Sequence, residues 1–324
     1  MVFLATKKYN SKYLKSPTFD RFSPAWVKWS LLIALLYWAW KAGMVGVGTT
    51  EIGFFLIWFP LLFINGSTRK LAVGFSPFFI YVFVYNSLKI LHLYNPFPIH
   101  NEGLYLLEKK FFGINVDGVR VTLCEYFASH LHPFLDIIAG GFYITWAPFP
   151  ILFGLFLFFK GKRKLLFDFW LAFLIVNIFG FIIYVLLPAA PPWYYLKYGA
   201  DIIQGLGGEP AGLARFDQLI GIDLYKNMYS QGTNTYGALP SMHAAFPMVL
   251  SYYGSKYGYK PLTTLFVISM LCIWFGAIYS SHHYIIDVLL GMTCGIIGIF
   301  LNERLVNSNF AAGYYSRIIE YLKP

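Results

Sequence analysis

Long apolar runs, separated by short polar segments, dominate this chain of 324 residues. Most of the runs are roughly 15 to 25 residues long, the length that an α-helix needs to cross the hydrocarbon core of a bilayer. Two are shorter and fit a tilted, re-entrant or extended span. The pattern therefore predicts an all-α integral membrane protein, a polytopic helical bundle. Its eight predicted spans are Trp26–Val45, Ile52–Ile64, Leu71–Leu91, Phe134–Phe159, Leu165–Leu187, Ser241–Tyr253, Leu262–Ser280 and Tyr284–Leu301.

The basic residues orient these spans. With eight spans, the basic clusters all fall on one side, which the positive-inside rule assigns to the cytoplasm together with both chain termini. A missed or invented span would scatter the clusters over both faces. The clusters are Lys7, Lys8, Lys12, Lys15 and Arg21; Arg69 and Lys70; Lys160, Lys162, Arg163 and Lys164; Lys256 and Lys260; and Arg304, Arg317 and Lys323.

Two long connections, about 92–133 and 188–240, then lie on the opposite face. The first mixes charges with apolar residues such as Leu104 and Phe111, so it predicts either an amphipathic helix at the membrane interface or a partly buried connecting helix. The second contains Gly205, Gly207, Gly208 and Gly212, which indicate a bent loop and suggest a lid.

Composition narrows the possible functions. The chain is 58% hydrophobic and 12% charged, whereas soluble domains carry about a quarter charged residues. The net charge of +10 is divided among short clusters between apolar runs, which argues against a nucleic-acid-binding face. Cys124, Cys272 and Cys294 form no CxxC pair, so we expect buried free thiols and neither a disulfide framework nor a metal site.

Ionisable residues at the ends of two spans are the strongest functional signal, because such groups are costly near a bilayer unless they are paired or hydrated. His283 and Asp287 are four residues apart, so on a helix they would share one face. Asp287 would then accept from one imidazole nitrogen, fix the tautomer and leave the other nitrogen free to act. On that helix His282 would point about 100° away and would not share the role.

A second polar cluster precedes the sixth span. Pro240 ends the long connection, Ser241 is predicted to cap the following helix, and His243 lies in its first turn. The N-terminus of a helix binds phosphate through its N–H groups and its dipole. The topology places this cluster and the His283 cluster on the same side. We therefore predict His283, Asp287 and His243 as catalytic residues, with Ser241 binding phosphate.

These residues resemble a known superfamily. Pro240-Ser-Met-His243 resembles the Pro-Ser-Gly-His motif of type 2 phosphatidic acid phosphatases, and Gly276 through Asp287 resembles their Ser-Arg-x5-His-x3-Asp motif. The resemblance implies a six-helix core, a nucleophilic His283 oriented by Asp287, and His243 as the acid. Two cationic features are missing: the motif arginine is Ala277, and the chain has no Arg-Pro sequence. Fewer cations favour a phosphodiester over a phosphomonoester, although Arg215 or Lys197 offers a replacement.

A narrower branch is also similar. The chain resembles the catalytic subunit of fungal inositol phosphorylceramide synthase over about residues 177–295, in the runs that begin at Asn177, Leu187, Ala211, Gly221, Tyr236 and His282. The resemblance implies phosphoinositol transfer from phosphatidylinositol to ceramide or dihydroceramide, with no cofactor or metal. It divides the chain into N-terminal spans and interfacial segment (1–133), catalytic core (134–301) and cytoplasmic tail (302–324) of one membrane domain.

The outer connection supplies further candidates for substrate binding. Arg215, Asp217 and Lys197 are expected near the phosphate or head group. Trp193 and Tyr194 follow a proline-rich helix stop, where they predict either an interfacial anchor or a lipid contact.

Two alternatives and the cellular location remain open from the sequence. One alternative is a phosphatase for phosphatidate or a polyprenyl pyrophosphate, and the other is a lipid transporter or scramblase, for which no repeated halves are visible. The predicted location is a bacterial inner membrane with a periplasmic site, or alternatively a Golgi membrane with a lumenal site. The sequence does not indicate an accessory subunit.

Overall fold

The computed structural model describes residues 24–90, 97–203, 205–230 and 235–323. The described residues are mainly helical, and their two strands, β1 (Ile114–Val116) and β2 (Val119–Val121), form an antiparallel hairpin. The helices are α1 (Pro24–Trp40), α2 (Thr49–Ile64), α3 (Gly66–Gly74), α4 (Ser76–Ser87), α5 (Glu102–Phe112), α6 (Leu123–Ser129), α7 (Pro133–Tyr143), α8 (Pro148–Phe159), α9 (Arg163–Leu186), α10 (Pro192–Tyr198), α11 (Ala214–Ile220), α12 (Leu224–Ser230), α13 (Met242–Tyr257), α14 (Lys260–Tyr279), α15 (Ile285–Val306) and α16 (Asn309–Leu322).

The chain divides into two compact units, residues 1–47 and 48–324. The described part of the first unit is α1 followed by a π-helical turn, Lys41–Val45, and it coincides with the first predicted span. The second unit holds all the other described elements.

Three helices of the second unit, α9, α14 and α15, are long and apolar enough to cross a membrane, within the described ranges. A fourth span results if the α7–α8 pair, bent by 47°, is counted as one. These helices confirm the prediction of an all-α integral membrane protein. The full count of eight spans stays a prediction.

Two of the predicted spans are broken, which corrects the expectation of continuous helices. The predicted span Phe134–Phe159 bends between α7 and α8. A short 3₁₀ turn follows α7, and α8 begins at Pro148. Leu71–Leu91 is interrupted between α3 and α4, where Pro77 lies in the first turn of α4; its last residue lies outside the described residues. Proline has no N–H to donate and disfavours helical geometry in the residue before it, so each break falls at a proline.

The core of the second unit lies where α9, α13 and α15 pack together. Buried aromatic side chains of α4, α9 and α13 fill it, including the stacked pair Phe173 and Phe246, whose ring centroids are 4.6 Å apart. A Cβ on Gly291 of α15 would overlap the carbonyl oxygen of Ser241. Glycine at this position therefore lets α15 approach the start of α13 closely.

Helix α5 belongs to the first outer connection and is amphipathic. Leu104, Tyr105 and Glu108 are buried, while Leu106 and Phe111 are exposed. The helix is therefore partly buried, and a position at the membrane interface stays a prediction.

The predicted cytoplasmic tail, 302–324, is a folded part of the second unit. It contains the end of α15 and the amphipathic helix α16. The Tyr315 hydroxyl donates to the Asp168 carboxylate of α9, and Leu322 is fully buried. The segment is therefore packed on the second unit, and its cytoplasmic location stays a prediction.

Candidate active site

Three histidines from two elements face one cavity. His243 is the second residue of α13, and His282 and His283 lie in the turn between α14 and α15. All three line a cavity of about 170 Å³. The ring centroids of His243 and His283 are 5.7 Å apart, so the two imidazoles are close neighbours at one wall of the cavity.

The turn that carries His283 is not helical. The N–H groups of His282 and His283 both donate to the carbonyl oxygen of Ala277, at 3.0 Å each. Ser281 has a positive φ of 58°, and α15 begins only at Ile285. The predicted helical face for His283 and Asp287 is therefore wrong, and so is the expectation that His282 points away. The tight turn directs both histidine side chains into the cavity.

The Nδ1 atom of His283 has two neighbours. It lies 3.0 Å from the carbonyl oxygen of Ala238 and 3.6 Å from Oδ2 of Asp287. A carbonyl oxygen can only accept, so the proton of the neutral ring lies on Nδ1 and the lone pair lies on Nε2. The tautomer is thus fixed by Ala238, which corrects the prediction that Asp287 alone fixes it. Asp287 adds a buried negative charge beside the ring.

Neighbouring elements hold this arrangement in place. Asp287 Oδ2 accepts from the N–H of Tyr284 at 2.8 Å. Both oxygens of Glu108, on α5, accept from the first N–H groups of α15, those of Ile285 at 3.0 Å and Ile286 at 3.2 Å. Burial raises the pKa of Glu108. The sequence analysis did not single out Glu108, because an acidic residue on the buried face of an amphipathic helix has no motif of its own.

Aromatic rings surround His243. Its ring centroid lies 4.7 Å from that of Tyr143 and 5.2 Å from that of Trp146. His282 stacks on Tyr229 at 4.6 Å, and its Nε2 lies 3.0 Å from the carbonyl oxygen of Pro210. Burial, followed by the charge of the neighbouring His283, lowers the pKa of His282 to about 3. His282 is therefore neutral at physiological pH and ties the glycine-rich loop to the site.

Ser241 occupies the N-cap position of α13, but its side chain does not cap the helix. Its Oγ is buried without a hydrogen-bond partner among the described residues. Its backbone N–H donates to the carbonyl oxygen of Asp287 at 2.9 Å. The predicted side-chain cap is therefore wrong, since the close approach of α15 sets the start of α13 through the backbone instead.

Comparison with known proteins identifies the family of this chain. The sequence profile of the PAP2 superfamily matches residues 123–301, which is more than half of the chain and includes all three histidines of the cavity. The chain belongs to the PAP2 superfamily. In this PAP2 protein the matched region begins at α6 and ends in α15.

Several curated relatives of this PAP2 protein carry the names of sphingolipid synthases. The phosphoinositol dihydroceramide synthase of Bacteroides thetaiotaomicron is 41% identical over 297 residues, 90% of this chain and 97% of that protein. The inositol phosphorylceramide synthase catalytic subunit of Saccharomyces cerevisiae is 30% identical over 71% of this chain and 56% of its own length. The inositol phosphorylceramide synthase of Candida albicans is 28% identical, and the match covers 48% of its length. This chain therefore spans about half of the fungal relatives. No solved structure matches.

The predicted phosphate-binding cations of this PAP2 protein are paired with carboxylates. Arg215 Nε lies 2.7 Å from Asp136, and Lys197 Nζ lies 2.6 Å from Glu209. Among the described lining residues of the cavity there is no lysine or arginine, although Glu209 is one of them. A phosphate role for Arg215 and Lys197 stays a prediction.

The other predicted binding residues of the PAP2 protein are buried. Asp217 accepts from the N–H groups of Tyr225 at 3.0 Å and Lys226 at 2.9 Å, so it caps α12. Trp193 lines the cavity, whereas Tyr194 is fully buried and its hydroxyl bonds to the backbone of Asp201 and Ile203. Tyr194 is therefore neither an interfacial anchor nor a lipid contact, because its polar end holds the outer loop.

Proposed function

We propose that this protein is a phosphatidylinositol:ceramide inositolphosphotransferase, which moves phosphoinositol from phosphatidylinositol to ceramide or dihydroceramide. The observation that carries the proposal is the pair His283 and His243 facing one cavity with ring centroids 5.7 Å apart. The names of the bacterial and fungal relatives support the choice of substrates.

The first half-reaction uses His283 as the nucleophile. Its Nε2 lone pair attacks phosphorus, a P–N bond forms and the P–O bond to diacylglycerol breaks. This step requires a proton on His243, which gives it to the departing alkoxide, so diacylglycerol leaves as a neutral alcohol. Phosphoinositol remains on His283, whose ring now carries a positive charge. The Asp287 carboxylate, 3.6 Å from Nδ1, offsets that charge.

The second half-reaction restores the enzyme. The primary hydroxyl of the ceramide attacks phosphorus, His243 takes its proton, and the P–N bond breaks. His283 becomes neutral again, and its electron pair returns to Nε2. A phosphodiester carries a single negative charge throughout, which suits a cavity without lysine or arginine among its described lining residues.

Water must be excluded between the two steps, or the intermediate hydrolyses and the enzyme becomes a phosphodiesterase. The loop that contains Pro210 contributes Gly208 and Glu209 to the cavity wall and is held by His282. The proposed site faces the periplasm of a bacterial inner membrane, with both termini in the cytoplasm, as the basic clusters favour.

Transfer between two defined lipids tests this function. Purified protein in detergent, given phosphatidylinositol and a fluorescent ceramide with no added metal, is expected to form inositol phosphorylceramide, detected by mass spectrometry. His283→Ala should abolish product formation, while His130→Ala, at an exposed histidine outside the cavity, should retain it. If ceramide stays unmodified and phosphatidate releases phosphate, the protein is a phosphatase and the proposed transferase function is wrong.

A further inference from the structure

A second, larger cavity adjoins the histidine cavity. Its volume is about 610 Å³, within the range of roughly 300–1,000 Å³ that is typical of small-molecule sites. Phe54 of α2, Phe78 and Val82 of α4 and Ile151 of α8 line it, and most of its other walls are apolar or aromatic. A space of this size and character suits hydrocarbon rather than a polar head group.

The two cavities share walls. Tyr81 and Tyr85 of α4 and Trp146, at the bend between α7 and α8, line both of them. Trp146 also packs against His243, with ring centroids 5.2 Å apart. A molecule with a long chain in the larger cavity can therefore place its polar end in the cavity that the histidines line.

Asn177 of α9 is the polar group near this junction. Phe173, one helical turn earlier, lines the larger cavity, and Asn177 lines the histidine cavity. Phe173 and Phe181, which flank Asn177 on the helix, both pack against Tyr81, with ring centroids 5.1 Å and 6.1 Å away. Asn177 therefore lies where a lipid chain would meet its polar part.

The free atom of Asn177 is a hydrogen-bond acceptor. Its Nδ2 donates to the carbonyl oxygen of Phe173 at 2.8 Å, which fixes the orientation of the amide. The remaining Oδ1 is buried and has no partner among the described residues. A buried acceptor without a donor is costly, so this atom is suited to a ligand that brings an N–H or O–H group.

We propose that the larger cavity holds a hydrocarbon chain of the acceptor lipid, and that Asn177 Oδ1 accepts a hydrogen bond from the donor group next to the reacting hydroxyl. The acceptor is thus an N-acyl amino-alcohol lipid. Its amide N–H and secondary hydroxyl lie between the chains and the primary hydroxyl, whereas the ester linkages of a diacylglycerol moiety offer acceptors only. This inference rests on the proposed function, because it assigns the acceptor subsite of the same reaction.

A binding experiment tests the cavity independently of turnover. Dihydroceramide with a diazirine in its chain is photolysed with the purified wild-type protein, and the labelled peptides are mapped by mass spectrometry. We expect labels on α2, α4 and α8 that excess unlabelled dihydroceramide suppresses. Labels confined to the exposed face of α15, or labels that excess dihydroceramide does not suppress, would overturn the assignment.

A kinetic experiment tests Asn177. Asn177→Leu is expected to raise the KM for dihydroceramide about five- to tenfold, the effect of losing one buried hydrogen bond. The loss should fall on the KM for dihydroceramide more than on kcat. The matched control is Asn302→Leu, at a buried asparagine of α15 that also has an unpartnered Oδ1 and lines neither cavity.

Modified acceptors separate the possible outcomes. The KM values of acceptors that lack either the amide N–H or the secondary hydroxyl are measured with wild type and with Asn177→Leu. Removing the donor that contacts Asn177 should raise the KM of wild type and leave the KM of Asn177→Leu unchanged. An equal loss with every acceptor, or a loss confined to kcat, would refute the role of Asn177. If the probe labels the cavity of the wild-type protein but the protein transfers no phosphoinositol, the proposed function is wrong and the lipid-binding site is still supported.

Discussion

At the scale of single residues, His283 depends on two neighbours with different tasks. The Ala238 carbonyl, 3.0 Å from Nδ1, fixes the tautomer, and the Asp287 carboxylate, 3.6 Å away, supplies negative charge. A motif of His-x-x-x-Asp suggests that one acidic residue does both. The backbone contact was not predictable from the sequence, because Ala238 is 45 residues from His283 along the chain.

This division of tasks predicts a limited effect for Asp287→Asn. The variant keeps the size of the side chain and loses the charge that offsets the imidazolium of the intermediate. We expect kcat to fall about 10²-fold, comparable with the loss of one electrostatic partner in an active site. The tautomer should persist, so the loss should remain smaller than that of His283→Ala. Steady-state transfer rates measure it, and a wild-type rate would contradict the role of Asp287.

At the scale of elements, the apolar runs predicted most helices but not their breaks. Hydropathy registers the composition of a run and not the missing N–H of Pro77 or Pro148, so the interruptions at α4 and α8 were missed. Conversely, the turn before α15 was predicted as helix, since its sequence does not reveal that two N–H groups converge on Ala277. The convergence of His243 with His283 was predictable, because both motifs begin spans that enter from the same side.

Helix α5 supports the active site through Glu108, which receives the first N–H groups of α15. In Glu108→Gln one oxygen is replaced by an NH₂ group that faces another donor. We expect a loss of about 1 to 2 kcal/mol in unfolding free energy, as for a lost helix cap. We also expect slower transfer, since the turn that carries His283 is held less firmly.

Melting temperature and transfer rate at pH 8 measure the effect of Glu108→Gln. Glu102→Gln, at an exposed acidic residue in the first turn of the same helix, is the matched control and should resemble wild type. Equal behaviour of the two variants would show that Glu108 does not support the site.

At the scale of the whole molecule, the orientation in the membrane decides which lipids reach the histidines. The basic clusters predict that the β1–β2 hairpin lies outside and the α8–α9 connection inside. Lipids of the outer leaflet would then supply both substrates. This orientation rests on the distribution of basic residues along the sequence. Asn115 and Lys162, one in each of these two segments, are exposed and therefore suitable for labelling.

Cysteine labelling tests the orientation. In intact cells of a bacterial expression host with a permeable outer membrane, Asn115→Cys should react with a membrane-impermeant maleimide. Lys162→Cys should react only after the inner membrane is opened. The native cysteines Cys124 and Cys294 are buried, and the wild-type protein provides the background. The reverse pattern would invert the topology and move the site to the cytoplasmic face.

The central claim is the covalent intermediate on His283, and a trapping experiment tests it most directly. Purified protein is mixed with phosphatidylinositol in the absence of acceptor, quenched at alkaline pH and digested for mass spectrometry. The account predicts a burst of diacylglycerol, at most one equivalent per enzyme, and a phosphoinositol adduct on His283. Full transfer to ceramide with no adduct, or with an adduct on His243 instead, would contradict it.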